Sequence, residues 1–117
     1  MAYDDELAGR LRDLLHEESA VTGRELREKR MFGGLAFLVD GNMALAASSA
    51  GGLMVRVDPD HGEQLVTTTP ARPVVMRGRP MRGWLEVDHA DLADDDVLAG
   101  WVRRGASYAA TLPAKAK

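Results

Sequence analysis

The sequence predicts an α+β domain, an antiparallel sheet packed with helices, and three observations predict it. Leu7, Leu11, Leu14 and Leu15 recur at helical spacing near the start of the chain. The middle alternates short apolar runs with turn signals: Leu35–Val39, then Asp40-Gly41-Asn42, then Met43–Ala47, then Ser48–Gly52, then Leu53–Val57. Connections that short join antiparallel neighbours, because a parallel crossover needs a dozen residues or more. A second helical stripe, Val97, Leu98, Trp101, Tyr108 and Leu112, closes the chain.

The elements follow in order. Asp4 is a fitting N-cap, and Asp5 and Glu6 place negative charge at the positive end of the first helix, expected over about residues 4–18. The small, β-branched and glycine residues of Ser19–Gly23 should end it. Leu26–Met31 is charged yet leads straight into strand-forming sequence, so it reads as a strand with one exposed face. Leu35–Val39 and Met43–Ala47 read as a hairpin, followed by Leu53–Val57, in which Leu53, Val55 and Val57 share one face and Met54 and Arg56 the other. Asp58-Pro59 changes the pattern, and a short helix over Gly62–Thr67 should stop at Thr68, Thr69 and Pro70.

Val74–Met76 and Trp84–Val87 read as a second hairpin across the connection Arg77–Gly83, with Pro73 and Pro80 confined to edge or loop positions. Asp94, Asp95 and Asp96 crowd the start of the last helix, and Pro113 closes it ahead of a frayed tail over about residues 113–117. Gly100 and Gly105 each cost that helix about 1 kcal/mol relative to alanine, which close packing against a sheet or a partner would offset.

Composition bounds the function. A chain of 117 residues, 45% hydrophobic and 28% charged, suits one globular domain, residues 1–117. With no cysteine there is neither a disulfide nor a thiolate metal site. An acidic opening at Asp4–Glu6 is unlike a secretory leader, and no apolar run reaches spanning length, so a cytoplasmic location and no membrane contact are expected. A net charge of -3 exerts no overall pull on nucleic acid.

Arg30-Met31-Phe32-Gly33-Gly34, followed by Asp40-Gly41-Asn42-Met43, resembles the TfoX N-terminal domain family. Leu53–Val57 before Asp58, then Gly78-Arg79-Pro80-Met81-Arg82-Gly83-Trp84, then a final helix carrying Trp101, extend the resemblance from the first helix to about Leu112. It implies an α+β sandwich similar to secretion chaperones, with the order α-β-β-β-α-β-β-α. It also implies a regulatory rather than catalytic role. The namesake is a positive regulator of DNA-uptake competence genes that works with a cyclic-AMP-responsive transcription factor. Full-length members of that kind carry a second, C-terminal helical domain, which a chain ending at Lys117 is expected to lack. The family brings no catalytic residues to carry over.

Candidate chemistry is thin, and no catalytic, cofactor or metal site is assigned. Gly105-Ala106-Ser107-Tyr108-Ala109 nearly spells a nucleophile elbow, but that motif needs a strained strand-to-helix turn, and here Ser107 sits within a helical pattern. His61 with Asp58 and Asp60, or His89 with Asp88 and Asp91, lacks zinc-helix or calcium-loop spacing, and helix capping and turns explain the aspartates. His16 reads as a solvated helix residue. Gly33-Gly34 has no phosphate-loop pattern and leads into a strand, so a bulge or tight bend explains it better. Phe32, Trp84 and Trp101 read as core.

One feature stands out: Arg72, Arg77, Arg79 and Arg82 have no acid among them, and nearby glycines let the loop project. Arg77 and Arg79 share a face if the strand pattern persists, and Arg30 is a candidate neighbour across the sheet. Such a group can hold phosphates or meet an acidic protein patch, although pairing with acids of the same domain is the commoner fate of surface arginines. The reading is therefore a non-enzymatic regulatory or adaptor domain that binds a protein partner, for instance a transcription factor, and self-associates. Its contact surface would be the sheet edge bearing Pro73 and Pro80 or the glycine-notched last helix. The alternatives are a nucleic-acid-binding module using the arginine hairpin and a small-molecule site between sheet and helices.

Overall fold

Asp4 accepts a hydrogen bond from the Leu7 amide at 3.0 Å and so begins the first helix, α1 (Asp5–Glu17), in this computed structural model, which describes residues 3–31 and 33–114. The strands β1 (Leu26–Met31), β2 (Gly34–Val39), β3 (Asn42–Ala47) and β4 (Leu53–Arg56) follow, then α2 (Gly62–Thr68), β5 (Arg72–Met76), β6 (Arg79–Val87) and α3 (Asp95–Thr111). Short 3-10 turns at Ser19–Val21, Pro59–His61 and His89–Leu92 lead the chain between layers. The strands form one six-stranded sheet in the order β1-β2-β3-β4-β6-β5, and every neighbouring pair is antiparallel. This is the α+β class and helix placement that the sequence predicts.

The register sorts side chains into two faces. Phe37, Leu45, Val55 and Leu85 lie opposite one another from β2 through β6, and all are buried. They face the helices: α3 packs over β3 and β4, and α1 packs against α3. Leu7, Leu11 and Leu15 supply the buried stripe of α1, with Leu14 half-buried. The opposite face carries the row Lys29, Ala36, Ala46, Met54, Glu86 and Arg72, in which the two alanines are buried and the longer side chains half-buried or exposed. One row is apolar and the next mixed because the side-chain period of a strand is two.

A bulge adjusts the inner face. The β2–β3 register slips by one between Phe37 and Leu38, leaving Ala44 as the extra residue, and Ala44 and Leu45 both enter the core. The α3 helix settles onto that bulge through Gly105. A Cβ there would lie 2.7 Å from the Ala44 carbonyl oxygen and 3.0 Å from Val55 Cγ2, so only glycine allows this approach. The close packing anticipated for this glycine is therefore against the sheet. Gly105 is buried and takes no part in an outer contact surface.

Other expectations change. The stripe of α3 is Leu98, Trp101, Val102, Ala106 and Ala109, while Val97 is 43% exposed and Tyr108 and Leu112 only half-buried. The small residues were overlooked because alanine carries little apolar signal, yet alanine is what a helix lying close to a sheet requires. The β1 strand is exposed along its whole central run, not on one face, because it is an edge strand. Gly33 adopts a left-handed φ of 76° in the bend between β1 and β2, as a tight bend demands. Pro113, expected to open a frayed tail, has its carbonyl held by the buried Asn42 side chain at 2.9 Å. Phe32, read as core, and tail residues 115–117 lie outside the described residues.

Candidate functional site

The connection between β5 and β6 is shorter than the sequence suggests. Met76 pairs with Arg79, and Arg77 and Gly78 take φ values of 52° and 77°, which makes a tight two-residue turn rather than the loop Arg77–Gly83. Arg79, Pro80 and Met81 therefore belong to β6. The alternation that would align Arg77 with Arg79 stops at the turn.

The extra length goes into a wide bulge. Pro73 pairs with Leu85 and Val75 with Pro80, so Val74 alone faces Met81–Trp84. Gly83 sits at the crest with φ 86°. Its carbonyl accepts a hydrogen bond from the Val57 amide at 2.8 Å, and a Cβ on it would meet the Pro59 ring at 3.1 Å. Glycine is needed there for its left-handed φ and for the nearness of that ring. The bulge lifts β6 towards α2 and opens a mainly apolar groove of about 740 Å³, lined among others by Pro59, Val66, Pro73, Pro80, Met81 and Trp84. Five of the residues that carry the family resemblance, Pro80, Met81, Arg82, Gly83 and Trp84, line this groove together.

The four arginines divide. Arg72 donates to Asp88 at 2.7 and 2.8 Å and to Glu86 at 3.2 Å. That pairing raises the Arg72 pKa, and the guanidinium holds the Asp88 carboxyl below the usual carboxylate range. Arg82 reaches Asp60 at 3.0 Å, an ion pair open to solvent at the groove wall. Arg77 and Arg79 make no ion pair with the described residues, and neither does Arg30, which lies on β1 at the far edge of the sheet. The hairpin thus keeps two free arginines at its tip.

The sequence reading missed the apolar share of this hairpin. Val75 is 59% and Met76 48% exposed, two of the three large apolar side chains exposed among the described residues. The available signal was Val74-Val75-Met76, three apolar residues in succession on a strand flanked by proline, which an edge strand cannot bury together. Arg56 was missed as well. Its guanidinium lies 5.4 Å from the Trp84 ring centroid and 5.7 Å from that of Tyr108, so it joins β6 to α3 without an acid.

The remaining candidates stay apart. Ser107 is exposed on α3 beside an open groove of about 610 Å³ shared with His61, Gln64, Leu65, Arg103 and Tyr108. Asp58 accepts from the Asp60 amide as a cap, and His89 lies 3.0 Å from Asp4. Among the described residues no three histidine, aspartate or glutamate side chains converge in a way that could hold a metal ion. No described helix is long and apolar enough to cross a membrane.

Fold and site together define an antiparallel α+β domain whose exposed apolar strand, two unpaired arginines and an apolar groove share one hairpin. The model of the TfoX N-terminal domain family matches residues 20–109, and the chain belongs to that family. No curated protein and no solved structure matches it.

Proposed function

We propose that this chain is a non-enzymatic regulatory or adaptor domain that acts by docking a protein partner into the groove between α2 and the β5–β6 hairpin. The observation that carries the reading is the bulge at Met81–Trp84, which opens an apolar groove where a regular hairpin would present a flat sheet. Apolar pockets with a few polar groups at the mouth bind side chains of a partner, and here Asp60, Glu63 and Arg82 supply the polar rim. The partner is expected to present an apolar anchor, aromatic or aliphatic, with a carboxylate beyond the groove, where Arg79 near the hairpin tip can meet it. A transcription factor is one such partner that the regulatory setting of the family suggests.

The nucleic-acid alternative is weaker on this surface. Arg72 is engaged by two acids and Arg82 by one, and Asp60 and Glu63 line the same groove. Two free cations release few counterions from a phosphate backbone.

A photo-crosslinking residue placed at Met81 in the native host tests the proposal, with one at Glu17 on α1 as the control. A discrete protein adduct is expected from position 81 and none from 17, and Trp84→Ala should abolish it in a chain that still folds. Adducts of equal yield from both positions, or retardation of DNA at low salt that Arg77→Ala/Arg79→Ala removes, would overturn it.

A further inference from the structure

We infer that β5 pairs edge to edge with β5 of a second copy of this chain, about a two-fold axis at Val75. The two edges of the sheet differ in kind. On β1 the central run Arg27-Glu28-Lys29-Arg30 is charged and exposed, the usual protection of an edge against further pairing. On β5 the exposed residues are Arg72, Pro73, Val75 and Met76, so its one charge stands at the end of the strand and the rest of the exposed run is uncharged.

The backbone of β5 points to a definite register. Met76 and Arg79 flank a two-residue turn and so form the hydrogen-bonded pair of the hairpin. By the alternation of an antiparallel ladder, the Val75 N–H and C=O then point outward, as does the Pro73 carbonyl. Proline has no N–H to offer at 73, so an incoming strand must leave that position undemanded. Pairing Val75 with Val75 of the other copy does so: each Val75 exchanges two hydrogen bonds with its twin. The Pro73 carbonyl meets the amide of the residue in place of 77, already outside the ladder. Val74 then lies beside Met76 of the other copy, and the exposed Val75 and Met76 side chains are covered in both chains.

Charge supports the same arrangement. One end of β5 carries Arg72 with Glu86 and Asp88, a cluster of net negative charge, and the other carries Arg77 and Arg79, which have no acid partner among the described residues. An antiparallel two-fold pairing sets the positive end of each strand against the negative end of the other, twice. A parallel or head-to-tail arrangement gains this at most once.

Because residue 75 faces itself, paired charge variants read the register directly. Light scattering on the full chain is expected to give a concentration-dependent mass rising towards twice 12.7 kDa. Val75→Lys and Val75→Glu, at a position 59% exposed, should each remain folded and monomeric, with the dimer dissociation constant raised about tenfold or more by like charges directly opposed. An equimolar mixture of the two should recover the dimer. Arg77→Glu, at a turn with no internal partner, should weaken the dimer and reduce its sensitivity to salt, and it serves if the Val75 variants misfold. A chain that stays monomeric to millimolar concentration, or a dimer unchanged by Val75→Lys or by Arg77→Glu, overturns the inference. A mixture that stays monomeric overturns the two-fold register. None of these results bears on the groove beside α2, whose test is the crosslink at Met81.

Discussion

The same substitution at two glycines of α3 should have opposite effects, and the difference follows from where each lies. Gly100→Ala adds a methyl group whose nearest neighbour apart from the helix backbone is the Arg104 guanidinium one turn on at 3.6 Å, an ordinary contact with a movable side chain. Nothing opposes the gain in helix propensity, so stability should rise by about 0.5–1 kcal/mol. Gly105→Ala has the same propensity gain. Its methyl group, however, would come within 2.7 Å of the Ala44 carbonyl oxygen and 3.0 Å of Val55 Cγ2. The first neighbour is backbone in the β3 bulge, so α3 must move off the sheet that it covers. Overpacking of this kind costs about 1–3 kcal/mol, and a shift of the whole helix also loosens Trp101 and Val102, so the upper half of that range applies. Subtracting the propensity gain leaves a net loss of about 1–2 kcal/mol. For a domain of this length that lowers Tm by roughly 4–10 °C. Urea titration and thermal denaturation of the two variants beside the parent measure both signs. If Gly105→Ala were as stabilising as Gly100→Ala, the seating of α3 on the bulge would be wrong.

Two further outcomes follow from single contacts. Asn42→Ala removes the hydrogen bond from a buried amide to the Pro113 carbonyl, and with it the tie between the β2–β3 hairpin and the end of α3. A loss of about 1–2 kcal/mol is expected in urea titration, with faster amide exchange confined to the last turn of α3. Acid should weaken the fold for a definite reason. Glu28 is held below its ordinary 4.5 by the hydrogen-bonded Arg12 guanidinium, Asp40 by Arg24 and the Glu25 amide, and Asp88 by Arg72. Each carboxyl binds its proton more weakly folded than unfolded, so its contribution is present above the unfolded pKa and is lost as pH falls through the folded one. The urea midpoint should hold from neutral pH to about 5 and then decline below about 4.5, less steeply in Arg12→Met and Arg72→Met; a flat midpoint down to pH 3 would refute this account.

What the chain determined by itself is what depends on near neighbours. The cap at Asp4, the acidic start of α3 at Asp94–Asp96, the leucine stripe of α1, the alternation Leu53, Val55, Val57 and the turn at Asp40-Gly41 are set within a few residues, and each was legible as written. The family resemblance was legible too, because its motifs are contiguous and the matched span contains them. What only the tertiary structure decided depends on residues far apart. Gly105 needs glycine because of a carbonyl at Ala44, and Val102, Ala106 and Ala109 are buried because that contact draws α3 onto the sheet. Arg72 finds Glu86 and Asp88 across a strand pair, while Arg77 and Arg79 at the tip find no acid, and nothing in their local sequence separates the two fates. The groove exists because Val74 opposes Met81–Trp84 in a register that only pairing with β4 and β5 together can impose. Local sequence sets conformation through sterics and hydrogen bonds of short reach, whereas burial, charge pairing and the shape of a surface are sums over contacts that the chain makes only once it has closed on itself.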